Sequence, residues 1–155
     1  MKVIVDALKS IFERHKEERI CVIGTMCCGK TTMMKHISDY NCVDVDDEFW
    51  PQISDEDIER YSETPITQAV MDEIFELIHE KVTVRPGYPL FGVLILDCEV
   101  VVYLDISEEL LKKHCEERGD TSLRDALFVK KLVEDDWYRH KAMKERTFYY
   151  LTITE

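Results

Sequence analysis

A nine-residue stretch, GTMCCGKTT, combines residue types that bind phosphate groups. It runs from Gly24 to Thr32 and matches the pattern GxxxxGK[ST] through Gly24, Gly29, Lys30 and Thr31. The glycines permit a tight turn whose backbone N–H groups point inward, and the N-terminus of a following helix adds partial positive charge. Because an apolar run precedes the stretch and a helical pattern follows it, we interpret it as a loop that binds polyphosphate.

Each position of the loop has an expected role. Lys30 is predicted to lie along the β- and γ-phosphates, the Thr31 hydroxyl to bind Mg²⁺, and Thr32 to donate to the α-phosphate. The other phosphate-contacting positions are predicted to act through the backbone: Gly24, Thr25, Met26, Cys27, Cys28 and Gly29. We expect Lys30 and the helix N-terminus to lower a thiol pKa in the cysteine pair, so that oxidation or alkylation blocks nucleotide binding.

An acidic cluster, NCVDVDDEF, forms the second candidate group. Its apolar residues predict a short strand that delivers three aspartates at its C-terminal end. Asp44 and Asp46 have i, i+2 spacing and would share one face of an extended strand, whereas Asp47 points elsewhere. A carboxylate beside a phosphate site can orient an acceptor hydroxyl, accept its proton or hold Mg²⁺ through water. The alternative is a solvated acidic strand end.

Composition narrows the class of protein. A chain of 155 residues with 45% hydrophobic content is the size of one globular domain, so we expect residues 1–155 to form one. The net charge of −12 disfavours duplex nucleic acid as a partner. Six scattered cysteines without a CxxC pair indicate reduced thiols, and neither a disulfide framework nor a zinc site. With no membrane-length apolar run and no secretory signal, we expect a cytoplasmic protein without a membrane partner.

Strands and helices alternate along the chain. The predicted helices are an appended N-terminal helix within 1–18, a second at 30–38, a short helix and loop at 54–65, a helix capped by Thr64 with Pro65 at its first position, and two more at 107–119 and 122–143. The predicted strands are 19–24, 42–45, 81–85, 99–107 and 148–154. This alternation predicts an α/β fold with a parallel sheet covered by helices on both faces.

The segment FGVLILDC, residues 91–98, is ambiguous. Its apolar residues before Asp97 resemble a strand that carries a magnesium-associated carboxylate, but only Cys98 and Glu99 separate it from the next strand. Because parallel neighbours need a crossover of about a dozen residues, we expect a reduced crossover or an irregular extension of the fourth strand.

The chain resembles the P-loop kinases of the nucleoside monophosphate kinase and shikimate kinase type. The resemblance rests on VIGTMCCGKTT with its Walker A pattern, on VDVDD, on VVYLDISEELLKKHCEERG and on a final helix and strand, which together span about Ile20 to Thr154. It implies a P-loop NTPase fold, a three-layer sandwich around a five-stranded parallel sheet of order 2-3-1-4-5. It also implies a kinase, a transferase that uses ATP and Mg²⁺, with the acceptor bound beside the second strand.

The same resemblance assigns roles to charged residues. Arg118 and Arg124 correspond to lid arginines in a lid at 117–125, where cations are needed to stabilise the transferred phosphoryl group. The alternative to a lid role is that Arg118 is a charge at the C-terminal end of a helix and that Arg124 lies on a solvated helix face. Asp46 is our candidate for the base, with Asp44 nearer the metal. Arg85, predicted to end the third strand at the active-site edge, is our stronger substrate-binding arginine, and Arg60 is the other in the acceptor half.

Departures from the family pattern leave the acceptor open. After its third predicted strand the chain has VRPGYP in place of a glycine triplet, and it lacks a Phe-Arg pair after the second strand, so shikimate is disfavoured. In the acceptor-side region, 48–66, Phe49 and Trp50 could stack on a base or belong to the core. We expect ATP or ADP and a small-molecule acceptor, through a hydroxyl or a nucleotide phosphate, in a monomer or homodimer. The alternatives are a nucleotide-binding regulatory module or weak NTPase, and a polynucleotide 5′-hydroxyl kinase.

Overall fold

The computed structural model describes residues 1–62, 65–143 and 145–155, in which helices and strands alternate. The helices are α1 Lys2–Arg14, α2 Lys30–Lys35, α3 Val45–Phe49, α4 Asp55–Tyr61, α5 Gln68–Lys81, α6 Glu108–Arg118 and α7 Leu123–Met143, with a 3₁₀ turn at Trp50–Gln52. The strands are β1 Ile20–Ile23, β2 Val43–Asp44, β3 Leu90–Gly92, β4 Val100–Ile106 and β5 Thr147–Ile153. Among these helices, none combines the length and the apolar stretch that a membrane span requires.

The five strands form one parallel sheet in the order β2-β3-β1-β4-β5, which confirms the predicted order. At its centre, Cys21 of β1 is in register with Leu90 of β3 on one side and with Val101 of β4 on the other. Because all strands run the same way, their carboxyl ends meet at one edge of the sheet. The phosphate-binding loop and the acidic cluster both begin at that edge.

Alternate residues along the central strands bury opposite faces of the sheet, as the two-residue period of a strand requires. Cys21 and Ile23 pack with apolar residues of α3, α5 and α7, whereas Ile20 and Val22 pack with those of α1, α2 and α6. The sheet is therefore covered on both faces, and α5 and α6 lie on opposite sides of it.

The N-terminal helix α1 packs on the second face. Its apolar residues recur at helical spacing and are buried, with Leu8 at 0% and Phe12 at 1% exposure. Phe12 makes an edge-to-face contact with Phe91 of β3, with ring centroids 6.2 Å apart. The appended helix therefore uses its apolar face to cover the sheet of its own chain.

The predicted third strand at 81–85 is wrong. Helix α5 continues to Lys81, and Val82 and Val84 are buried in the core without strand pairing. The chain then turns through Gly87, whose φ of 80° suits glycine, and enters the sheet as β3 at Leu90. The apolar alternation of 81–85 resembled a strand because core-facing residues in an irregular segment can alternate in the same way.

The helix predicted to be capped by Thr64 is α5, and it starts later than predicted. Helix α5 begins at Gln68, and the Thr67 side chain accepts a hydrogen bond from the Val70 N–H at 3.3 Å. The predicted cap, Thr64, lies outside the described residues.

A reduced crossover joins β3 to β4, which is the first of the two alternatives predicted for residues 91–98, although Phe91 and Gly92 of that segment belong to β3. Residues 93–99 contain no helix and pass to the far side of β1, with Leu94, Ile95 and Leu96 buried. The segment brings Asp97 to the opposite edge of the sheet, where its carboxylate pairs with Arg19 Nη1 at 3.0 Å just before β1 begins. Asp97 therefore does not take the position of a magnesium-associated carboxylate.

Candidate functional site

The phosphate-binding loop joins β1 to α2 in a conformation that depends on its glycines. Gly29 has a φ of 105° and Cys27 a φ of 63°, so the backbone passes twice through the left-handed region. A Cβ atom on Gly24 would lie 2.8 Å from the Cys28 Sγ and 3.3 Å from the Leu104 Cβ, too close for a side chain. Gly24 is thus required for close packing and Gly29 for its dihedral angle.

Lys30 folds back over the loop. Its Nζ donates to the Gly24 carbonyl and, at 2.9 Å, to the Thr25 carbonyl. These bonds keep the ammonium group over the turn where bound phosphates would lie.

Two neighbouring helices anchor the loop. The Thr25 hydroxyl, buried at 2% exposure, donates to the Ala126 carbonyl of α7 at 2.6 Å. His114 of α6 donates through Nδ1 to the Cys27 carbonyl at 2.9 Å. The loop is therefore fixed by two different helices, since Thr25 is bonded to α7 and Cys27 to α6.

The two loop cysteines differ in their surroundings. Cys28 is fully buried, and burial raises the pKa of its thiol despite the nearby Lys30, so the expected lowering is wrong for this residue. Cys27 is partly exposed, and Arg118 Nη1 lies 3.7 Å from its Sγ. The pair is therefore one buried thiol and one thiol at the site surface.

A cavity of about 880 Å³ opens at the carboxyl edge of the sheet. Thr25 to Thr32 line it, so the loop residues predicted to contact phosphate face this space, except Gly24, which does not line it. Asp44 and Asp46 line the same cavity, together with Arg118. The structure thus brings the phosphate loop, the acidic cluster and one predicted lid arginine to one site.

The acidic cluster reaches the cavity by a different route from the predicted one. Strand β2 ends at Asp44 and α3 begins at Val45, because the Asp44 carboxylate accepts a hydrogen bond from the Asp46 N–H at 2.9 Å and caps the helix. The two carboxylates therefore do not share a strand face, and the i, i+2 argument is wrong although both residues line the site. Burial raises the pKa of Asp44, and the nearby Asp46 and Asp47 carboxylates add to the effect.

The aromatic pair after the cluster divides between core and site. Phe49 is fully buried in the core. Trp50 lines the cavity, and its indole Nε1 donates to Asp46 Oδ1 at 3.2 Å. Trp50 thereby orients the Asp46 carboxylate.

Of the arginines predicted to act in the site, only Arg118 lines the cavity. Arg118 lines the cavity and its Nε pairs with Asp120 at 2.7 Å, whereas Arg124 is exposed and does not line it. Arg85 also lies elsewhere, because it precedes β3 in the turn at the amino edge of the sheet, where its guanidinium stacks 4.1 Å from the Tyr88 ring centre. The predicted position of Arg85 at the active-site edge is wrong because it depended on the misplaced third strand.

Sequence reasoning missed several residues of the site. His114 lies one helical turn before Arg118 on α6, a spacing that could have placed it on the same face. The N-terminal ammonium of Met1 pairs with Glu155 at 2.7 Å, and both residues line the cavity. The cavity also has an apolar wall, which no sequence motif marks. The wall comprises Tyr61, Ile66, Val70, Met71, Ile74, Phe75, Ile78 and Val129.

Comparisons with solved structures identify the fold. The chain is similar to a gluconokinase from Sinorhizobium meliloti 1021, with a TM-score of 0.53 and 16% identity over 91% of this chain and 85% of that one. It is also similar to a shikimate kinase from Bacteroides thetaiotaomicron, with a TM-score of 0.49 and 13% identity over 86% of this chain and 85% of that one. No family model and no curated protein matches the sequence.

The chain has the three-layer α/β fold of the P-loop NTPases. The parallel sheet of order 2-3-1-4-5, the helices on both faces and the similarity to the gluconokinase structure agree on this fold. At this identity the similarity concerns the fold, so the chemistry has to be argued from the residues of the site.

Proposed function

We propose that this chain is an ATP-dependent phosphotransferase that moves a γ-phosphate to a hydroxyl group of a small molecule. The observation that carries the proposal is one cavity that holds both the phosphate-binding loop and the Asp44 and Asp46 carboxylates. The loop would bind ATP, and a carboxylate beside it would orient the acceptor hydroxyl and accept its proton. Asp46 is our candidate for that base, since Trp50 holds it in place.

The donor atoms of the site suit Mg²⁺. The Thr31 hydroxyl and the Asp44 carboxylate supply hard oxygen ligands, which this ion prefers, and both residues line the cavity. Among the described residues, no group of three or more His, Cys, Asp or Glu side chains could hold a metal ion alone. We therefore expect the ion to bind together with nucleotide phosphates, where it neutralises charge on the transferred group.

Arg118 would supply a second cation beside Mg²⁺. It is the last residue of α6, and the short segment after it joins α6 to α7. A guanidinium at the cavity can stabilise negative charge that develops on the phosphoryl group, as expected of residues 117–125 acting as a lid. Arg124 is a weaker candidate for this role, since it does not line the cavity.

An ADP-release assay tests the proposal. Purified protein with ATP and Mg²⁺ is mixed with pools of nucleosides, nucleotides, sugars, alcohols and short oligonucleotides, and stimulation by one pool identifies the acceptor class. Lys30→Ala should lower the stimulated rate by at least about 10²-fold while the circular dichroism spectrum stays unchanged. Lys35→Ala, an exposed lysine at the end of the same helix, is the matched control and should keep the rate.

Three outcomes would contradict the proposal. Full activity of Lys30→Ala would refute the assigned phosphate contact. Tight ATP binding with the same slow ADP release in every pool would favour a nucleotide-binding regulatory module or weak NTPase, and stimulation by oligonucleotide ends alone would favour a polynucleotide kinase.

A further inference from the structure

The cavity has a polar end and an apolar end. The polar end comprises the loop and the His114 to Arg118 part of α6, which packs on one face of the sheet, together with Asp44 and Asp46 beside α3, which packs on the other face. The apolar end is lined by α5, which packs on the same face as α3. A molecule that fills the site would thus meet charged groups at one end and hydrocarbon at the other.

The cations of the cavity are confined to the polar end. Lys30 is bonded to the loop, Arg118 to Asp120, and the Met1 ammonium to Glu155. His114 donates to the loop carbonyl of Cys27. In the part of the chain that the structure describes, no lysine, arginine or histidine lines the apolar end.

The two arginines of the acceptor half do not supply the missing charge. Arg60 directs its guanidinium to Glu73 in two hydrogen bonds of 3.0 and 3.1 Å and to the Tyr61 hydroxyl at 2.8 Å. Arg85 lies at the amino edge of the sheet, stacked on Tyr88. Neither residue lines the cavity.

The apolar wall is a side of the cavity where an anion would be costly. Met71, Ile74 and Ile78 present buried aliphatic side chains from successive turns of α5, and Phe75 is partly buried beside them. A carboxylate or phosphate placed against this wall would lose water without gaining a counter-ion.

The geometry points to an uncharged acceptor, a hydroxyl group carried on an aromatic or branched hydrocarbon body. The hydroxyl would lie at Asp46 and the body against α5, so that each end of the molecule meets matching chemistry. This inference rests on the proposed function for the role of the hydroxyl, but the preference for a neutral ligand can be measured by binding alone. The transfer would form a phosphate ester from the hydroxyl oxygen, release ADP and pass the hydroxyl proton to Asp46.

Equilibrium dialysis with a matched ligand pair tests the inference. We would compare 2-naphthylmethanol with 2-naphthoate, which share one aromatic body and differ in charge, with ADP present to occupy the loop. The alcohol should bind at least about tenfold more tightly than the carboxylate. Equal binding, tighter binding of the carboxylate, or binding of neither ligand would overturn the inference.

A charge placed in the wall provides a second test. Val70→Arg puts a cation at a cavity-lining position of α5 and should reduce or remove the preference, so that 2-naphthoate binds at least about tenfold more tightly than to the unmodified protein. Ala69→Arg, at the adjacent exposed position, is the matched control and should leave the preference unchanged. The same effect in both variants would overturn the inference, because it would show a general response to charge.

The two proposals fail in different ways. If the alcohol binds as expected but no alcohol stimulates ADP release, the proposed phosphotransfer fails while the neutral-ligand preference stands. If an anionic acceptor is phosphorylated more efficiently than its neutral analogue, the phosphotransfer stands and the inference about the acceptor fails.

Discussion

At the scale of single residues, Cys27 and Cys28 show how adjacent positions in one loop acquire different chemistry. Cys28 packs into the core behind the loop, and Cys27 lies at the cavity beside Arg118. Three further cysteines, Cys21, Cys98 and Cys115, are buried. Since reactivity requires an accessible thiolate, the environments single out one cysteine.

We predict that iodoacetamide modifies Cys27 first and that ATP protects it. Cys42 is the other partly exposed cysteine, but burial raises its pKa to about 11, which disfavours the thiolate. Peptide mass spectrometry should show Cys27 labelled before the other five, with a rate lowered at least about tenfold by saturating ATP. Cys27→Ser should abolish this early labelling and retain ATP binding, because the backbone N–H of this residue, and not its side chain, is predicted to contact phosphate. Labelling that ATP leaves unchanged would contradict the prediction.

Asp44 caps helix α3 and also lines the cavity. Its ionisation makes the stability of the folded protein depend on pH. Burial raises the pKa of its carboxyl in the folded protein, so the folded state binds this proton more tightly than the unfolded chain does. The ionised carboxylate therefore lowers the free energy of unfolding, and this loss develops as the pH rises above about 4, the ordinary range of an aspartate.

Asp44→Asn should increase stability at neutral pH and lower activity. Asparagine retains the helix cap and removes the charge, so the free energy of unfolding at pH 7 should rise, by less than about 1 kcal/mol because the side chain is only half buried. The gain should vanish at a pH below about 4, where the native carboxyl is protonated. Urea unfolding at both pH values measures the difference, with the exposed Asp47→Asn as control. A loss of stability at pH 7 would show that the carboxylate stabilises the fold.

At the scale of elements, the C-terminal end of α6 gives Arg118 and Arg124 different positions, although the sequence predicts the same role for both. Both flank the segment that joins α6 to α7, but Arg118 lines the cavity and Arg124 does not. Helix α6 ends at Gly119, whose φ of 80° lets the chain leave the helix just after Arg118. The end of the helix therefore places one guanidinium at the site.

Arg118→Ala should lower kcat by about 10²-fold with a smaller effect on KM, because the cation is proposed to act on charge that develops during transfer. Arg124→Ala is the matched control and should stay within about twofold of the unmodified protein. Steady-state kinetics with ATP and the identified acceptor measure both. Equal losses in the two variants would indicate that Arg124 reaches the site when the segment closes.

At the scale of the whole molecule, stability depends on the two apolar layers that enclose the sheet. Helix α1 provides part of the second layer, and Phe12 is its largest fully buried side chain, in contact with Phe91 and with Tyr40. The helix that precedes the P-loop in sequence is thus part of the packing beneath β1 and β3.

Phe12→Ala should lower the free energy of unfolding by about 3–5 kcal/mol, because it leaves a cavity where an aromatic ring was fully buried. Val3→Ala on the same helix removes a side chain that is 80% exposed and should change it by less than about 0.5 kcal/mol. Thermal or urea unfolding measures both. A loss near zero for Phe12→Ala would show that α1 is dispensable for the fold.

Local signals in the sequence determined the phosphate loop, four of the strands and most of the helices. The loop was predictable because Gly24, Gly29 and Lys30 have roles that depend on their own backbone and on immediate neighbours. Strand β4 was predictable because Val100 to Leu104 are buried on both faces and form a continuous apolar run. Cap signals of the same local kind marked Ser107 and Gly119 at the ends of α6.

Tertiary structure decided which of the candidate residues meet. The third strand was assigned to 81–85 instead of Leu90–Gly92, since a strand of three residues is recognised by its partners β1 and β2 and not by its own pattern. The actual position of β3 leaves Arg85 in the turn before that strand, away from the site. Helix α5, which precedes that turn, supplies the apolar wall of the cavity. The sequence by itself determined the glycine turn between β1 and α2 in which a phosphate site is predicted, because that turn depends on short-range geometry. Only the three-dimensional packing decided which groups surround it, because that depends on contacts between residues far apart in the chain.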